Sequence, residues 1–115
     1  MTERVEALRA ELRVKLEERA RYFEQERLKF DWSKRGRPKQ QLPDGEWSVL
    51  FISAGRGFGK TEAGAQAIRK WAMTGQGRRM AIVGRTAADV RDVMVEGSSG
   101  ILAVHPLKDR PTYHP

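Results

Sequence analysis

The stretch that most restricts the fold of this chain is Ala54-Gly55-Arg56-Gly57-Phe58-Gly59-Lys60-Thr61, called the glycine loop below. It fits a phosphate-binding pattern: Ala or Gly, four variable residues, Gly-Lys, then Ser or Thr. Glycines let such a loop curl and point its N–H groups inward. Lys60 can then reach the β- and γ-phosphates of a nucleotide, and the Thr61 hydroxyl can ligate Mg²⁺.

The residues on both sides of the glycine loop decide whether the pattern is meaningful. Residues 48–53 form a short apolar run rich in strand formers, and residues 62–72 are Ala-rich and helical in character, ending near Thr74-Gly75. A second apolar run at 80–84 predicts another strand. Two strands joined through a helix describe a βαβ unit with a parallel sheet. We therefore expect an α/β fold with a truncated three-layer core of the P-loop NTPase type. The alternative is an ordinary Gly-rich turn before a helix.

Residues 3–30 predict a long amphipathic helix outside that core. Charges of both signs surround one apolar stripe, and Thr2 can act as the N-cap. The stripe consists of Val5, Leu8, Leu12, Leu16 and Phe23. The sequence leaves open whether this stripe packs on the same chain, on a second copy or on a partner.

A basic linker follows the helix. Gly36 and Pro38 interrupt regular structure within residues 34–39. The Arg-Gly-Arg-Pro sequence here also matches the core of an AT-hook, which inserts into the minor groove of DNA. Gln41 can present its amide to an adenine edge, or it is simply solvated in a loop.

Farther along, Thr86 and Asp89 resemble a capping box that starts a helix ending near Gly97. Val90, Val93 and Met94 share one face of this helix, which is typical of core positions. The sequence thus divides into an N-terminal helix (1–31), a basic linker rich in Pro and Gly (32–46), and the start of an ATPase-like domain (47–115).

Overall composition limits the number of compartments and partners to be considered. The formal net charge of +7 favours anionic partners such as nucleotides or nucleic acid, although a solvated Arg-rich surface explains it equally well. The chain has no cysteine, no apolar run long enough for a membrane span, and a densely charged N-terminus. We expect a cytoplasmic protein with no membrane partner. His105 and His114 lack partners at metal-ligand spacing.

From residue 47 to residue 102 the chain resembles the start of the ATPase domain of phage terminase large subunits, the motors that pump DNA into procapsids. The resemblance rests on the glycine loop with Ala63-Gly64-Ala65 behind it, and on the lead-in from Arg37-Pro38 to Trp47. Its most specific part runs from Ala81 to Gly97, which no general phosphate-loop pattern requires.

The resemblance implies roles for individual residues. Ala54 to Thr61 would form the Walker A loop for ATP, with Lys60 on the β- and γ-phosphates and Thr61 on Mg²⁺. Arg56 stands where the family keeps a loop arginine thought to sense or stabilise the γ-phosphate, so Lys60 and Arg56 are the candidate catalytic residues. Gln41 lies near the family's adenine-contacting motif. The implied partners are double-stranded DNA, the portal and the small terminase subunit, with a homo-oligomer as a further possibility.

The chain departs from the family pattern after Thr61. No apolar strand there ends in Asp-Glu, the motif that orders Mg²⁺ and polarises the attacking water, and no acidic nuclease cluster follows. We therefore expect an ATP-binding N-terminal fragment with weak binding and negligible turnover, and leave its status as an enzyme open. The alternative is a basic module that binds nucleic acid or packaging partners without nucleotide turnover. A helicase-like motor is a third possibility, against which the run from Ala81 to Gly97 argues.

Overall fold

A computed structural model describes residues 2–115 as helices joined by irregular segments. The chain divides into two compact units between Arg35 and Gly36. Each unit is described separately.

The first unit consists of the long helix α1 (Thr2–Lys29) and the short helix α2 (Trp32–Arg35). This confirms the predicted N-terminal helix, although Thr2 is its first residue rather than its N-cap. Within the unit, α1 buries no residue, and Leu8, Leu12 and Leu16 are each 57% exposed. Within the first unit, the apolar stripe of α1 therefore stays largely exposed.

The second unit, Gly36–Pro115, contains three helical segments and two 3₁₀ turns. In chain order these are a 3₁₀ turn at Pro38–Gln40, helix α3 (Lys60–Thr74), helix α4 (Ala87–Asp89) continuing as a π-helix at Val90–Val95, helix α5 (Ile101–Val104), and a 3₁₀ turn at Leu107–Asp109.

The buried face of α3 forms the centre of the second unit. Ala63, Ala65 and Ala67 are buried, and α3 packs on α5. Arg69 Nη1 strengthens this contact by donating to the Val104 carbonyl at 3.1 Å. The helix ends as predicted: Gly75 is in the left-handed region, with φ of +77°, and its N–H donates to the Ala72 carbonyl.

The predicted helix after Thr86 is confirmed at its start and altered in its interior. The Thr86 hydroxyl accepts a hydrogen bond from the Asp89 N–H at 3.0 Å, which is an N-cap contact. The backbone then widens into a π-helix, as shown by the bond from the Glu96 N–H to the Arg91 carbonyl. Because this changes the register of the faces, Val93 is 48% exposed rather than in the core.

The predicted parallel sheet is absent, and the expectation of a three-layer α/β core was wrong. Residues 2–115 contain no β-strand. The two predicted strands, 48–53 and 80–84, form no backbone hydrogen bond with each other within these residues. Residues of both segments instead line one cavity of about 660 Å³. Strand character depends on a hydrogen-bonded neighbour, which neither segment has here.

This arrangement leaves large apolar side chains in solvent. Val49, Phe51 and Val83 are 84–85% exposed. In contrast to these exposed side chains, His105 is buried, and its Nδ1 lies 2.7 Å from the Ile101 carbonyl oxygen. Across the described part of the chain, no helix combines the length and the apolar character that crossing a membrane requires.

Close packing at Gly84 generates a stability prediction. A Cβ at Gly84 would lie 2.7 Å from Val90 Cγ2 and 3.2 Å from Met94 Cε, whereas a Cβ at Gly64 in α3 would meet nothing within 4 Å. We expect Gly84→Ala to lower the free energy of unfolding by about 1–3 kcal/mol through overpacking. Gly64→Ala should raise it by about 1 kcal/mol through helix propensity. Urea unfolding of both variants checks this, and a neutral or stabilising Gly84→Ala would contradict the packing described.

Candidate phosphate-binding loop

The glycine loop connects the irregular segment 48–53 to the first turn of α3. Within it, the Phe58 N–H donates to the Gly55 carbonyl at 3.4 Å, which closes a tight turn. Gly57 and Gly59 both have φ of +85°, a conformation that residues with a Cβ rarely adopt. The turn therefore depends on glycine at these two positions.

Gly59 is also the N-cap of α3, so the loop ends at a helix N-terminus. No backbone carbonyl within residues 2–115 accepts from the N–H groups of Gly59, Lys60 or Thr61. Such groups carry the positive end of the helix dipole and are suited to binding an anion.

Lys60 folds back across the loop. Its Nζ donates to the Ala54 carbonyl at 2.7 Å, which joins the first and seventh positions of the motif. Lys60 and Thr61 are both exposed at this end of α3. One of the three ammonium donors is used inside the loop, and the other two can bind a ligand.

Arg56 adds a second positive charge at the tip of the turn. Its side chain is exposed, and no carboxylate of the described residues forms an ion pair with it. The loop therefore carries two cations in addition to the N–H groups at the start of α3, and the chemistry of these donors fits phosphate.

Two side chains from the 3₁₀ turn region contact the other side of the loop. Arg37 Nη2 and Gln40 Nε2 each donate to the Phe58 carbonyl oxygen at 2.5 Å. The Arg37 guanidinium carbon also lies 5.3 Å from the centre of the Phe58 ring. Sequence reasoning missed both contacts, because 21 and 18 residues separate the partners and no local pattern signals them.

Gln41, the predicted adenine contact, lies beside a cavity. Gln41 is half-buried and lines a separate cavity with Leu42 and Leu50, while its neighbour Gln40 reaches the glycine loop. Pro38 begins the 3₁₀ turn, and the Arg37 side chain donates to the Phe58 carbonyl. This segment therefore does not form the extended strand that an AT-hook needs.

Metal ligands are sparse in this region. Thr61 supplies a hydroxyl at the start of α3. In the part of the chain that the structure describes, no group of three or more His, Cys, Asp or Glu side chains could hold a metal ion. A metal at this loop would therefore need oxygens from a bound phosphate in addition to Thr61.

Comparison with known proteins identifies the family. The model of the family described as terminase large subunit, T4likevirus-type, N-terminal, matches residues 51–114, which is more than half of the chain. The matched span includes the whole glycine loop, all of α3, and the chain from residue 80 through α5. Neither the curated proteins nor the solved structures contain a match. With its glycine loop and the helices that follow inside the matched span, the chain belongs to the family of phage terminase large subunits, as an N-terminal part.

Proposed function

We propose that this chain binds ATP with Mg²⁺ at the glycine loop, as the nucleotide-binding part of a DNA-packaging terminase. The observation that carries the proposal is the geometry at the start of α3. Gly57 and Gly59, both at positive φ, precede a helix N-terminus whose first N–H groups have no backbone acceptor among the described residues. The side chains of Arg56 and Lys60 in the same loop are exposed.

Each group has a defined role in this proposal. The N–H groups of Gly59, Lys60 and Thr61 hold phosphate oxygens, and Lys60 Nζ binds the β- and γ-phosphates. Lys60 Nζ donates one hydrogen to the Ala54 carbonyl at 2.7 Å, which leaves two for the ligand. Arg56, at the exposed tip, would contribute its positive charge to the γ-phosphate. The Thr61 hydroxyl would be the protein ligand of Mg²⁺, and the metal would neutralise phosphate charge.

Family membership supports a role in DNA packaging, with packaging proteins as partners. The specific partners that we propose are double-stranded DNA, the portal and the small terminase subunit. The net charge of +7 favours the contact with DNA. A homo-oligomer formed through the exposed stripe of α1 is a further proposal.

A charge-removal pair tests nucleotide binding. We expect Lys60→Ala to weaken ATP–Mg²⁺ binding at least about tenfold, because a charged hydrogen bond contributes roughly 1.5–3 kcal/mol. Lys70→Ala removes an exposed charge from the same helix and should leave the affinity unchanged. Isothermal titration calorimetry of both variants measures this.

AMP provides the ligand control for this experiment. It lacks the phosphates assigned to Lys60, so Lys60→Ala should not change its affinity. Equal ATP affinity in the wild type and Lys60→Ala would contradict the proposed site. Steep, salt-dependent binding of duplex DNA without any heat from ATP would instead favour the basic binding module.

A glycine pair tests the backbone of the loop. Gly59 and Gly75 are both in the left-handed region, at φ of +85° and +77°. A Cβ at Gly59 would lie 2.5 Å from Gln40 Nε2, whereas a Cβ at Gly75 would meet nothing within 4 Å. Both alanine variants should lose about 1 kcal/mol or more of stability. Only Gly59→Ala should also weaken ATP binding by titration, and an equal loss in Gly75→Ala would show that general destabilisation is responsible.

A further inference from the structure

The contact between the 3₁₀ turn region and the glycine loop assigns a role to two residues outside the phosphate-binding motif. We propose that Arg37 and Gln40 are positioning residues that hold the glycine loop in its phosphate-binding conformation by jointly binding the Phe58 carbonyl. The restraint itself follows from contacts in the structure, and its consequence for nucleotide rests on the function proposed above.

The first step is the double donation to a single acceptor. Arg37 Nη2 and Gln40 Nε2 both lie 2.5 Å from the Phe58 oxygen, and a carbonyl has two lone pairs, so this acceptor is fully used. A carbonyl oxygen repels the oxygens of a phosphate. Because both lone pairs of Phe58 are engaged by the upstream segment, this oxygen is kept from facing a bound phosphate.

The second step is that the two donors hold one another in place. Gln40 Oε1 accepts from the Arg37 N–H at 2.9 Å, and the Gln40 N–H donates to the Arg37 carbonyl at 2.9 Å. The Gln40 amide is therefore oriented at both ends, with its oxygen toward Arg37 and its nitrogen toward Phe58. This orientation is fixed by the hydrogen-bond pattern, since reversing the amide would place two acceptors together.

The third step is packing around the same peptide. The Arg37 guanidinium carbon lies 5.3 Å from the centre of the Phe58 ring, within the range of a cation–π contact. Gln40 Nε2 occupies the space that a Cβ of Gly59 would need. Phe58 and Gly59 are thus both in close contact with Arg37 and Gln40. These contacts restrain the chain just ahead of Lys60.

Two substitutions remove the restraint, and the same 3₁₀ turn offers a matched control. Arg37→Ala removes the guanidinium. Gln40→Glu keeps the shape and the oxygen that faces Arg37 but replaces the donor to Phe58 with an acceptor. Lys39→Ala removes an exposed positive charge from the same turn, and no contact of Lys39 with the loop is seen among the described residues.

The experiment measures amide hydrogen exchange in the full chain without nucleotide, followed by mass spectrometry of peptides that cover residues 54–61. We expect Arg37→Ala and Gln40→Glu each to raise exchange in these peptides about fivefold or more, the effect of losing one hydrogen bond. Exchange in peptides from α5 should stay unchanged. The double variant should change exchange by less than the product of the two single effects, because both donors share one acceptor.

The same proteins are then titrated with a fluorescent ATP analogue and Mg²⁺. The two loop-directed variants should bind it about fivefold more weakly or worse, and Lys39→Ala should match the wild type. Circular dichroism confirms that each variant is folded, and Arg37→Lys tests the guanidinium itself. This variant keeps the charge but not the planar group over Phe58, so it should not restore slow exchange.

The outcomes separate this proposal from the function of the loop. Exchange that rises equally throughout Gly36–Pro115, or variants that behave like Lys39→Ala, would overturn the positioning role while leaving ATP binding by the wild type intact. If the wild type fails to bind the nucleotide, the proposed function is wrong. In that case, a rise in exchange of the variants that is confined to residues 54–61 still supports the restraint of Phe58 by Arg37 and Gln40.

Discussion

The close contact between α3 and α5 is the interaction on which the second unit depends. A helix of 15 residues is only marginally stable alone, so its tertiary contacts determine whether it persists. Helices α3 and α5 pack on one another, and the bond from the Arg69 side chain to the Val104 carbonyl joins the two helices. This contact fixes the axis of α3 and, with it, the direction of the N–H groups at Lys60 and Thr61.

Different parts of the structure restrain the two ends of the glycine loop. Its C-terminal end continues into α3 and shares the stability of that helix. Its N-terminal end follows residues 48–53, which have no backbone hydrogen bonds to 80–84 in the described chain. Lateral restraint at Phe58, from Arg37 and Gln40, therefore supplies order that a hydrogen-bonded strand would otherwise provide. The loop is organised by a helix behind it and by side chains beside it.

The sequence predicted local features well and nonlocal ones poorly. The extent of α3, its end near Gly75 and the cap at Thr86 all follow from patterns within a few residues, and the structure confirms them. The sheet was predicted from strand propensity at 48–53 and 80–84. Propensity indicates only that a segment would fit into a sheet, and it does not show which segment it would pair with. The contacts of Arg37 and Gln40 span about 20 residues of chain, so nothing in the local sequence distinguished Gln40 from Gln41. Family resemblance succeeded where periodicity failed, because the matched span extends through residues that no secondary-structure pattern requires.

The fit of Gln40 into the open side of Gly59 also restricts how this chain can vary. Nε2 of Gln40 lies where a side chain at position 59 would begin. A side chain at position 59 would therefore displace the end of the Gln40 side chain, which also donates to the Phe58 carbonyl. A substitution at position 59 thus reaches a contact made by a residue 19 positions earlier in the sequence.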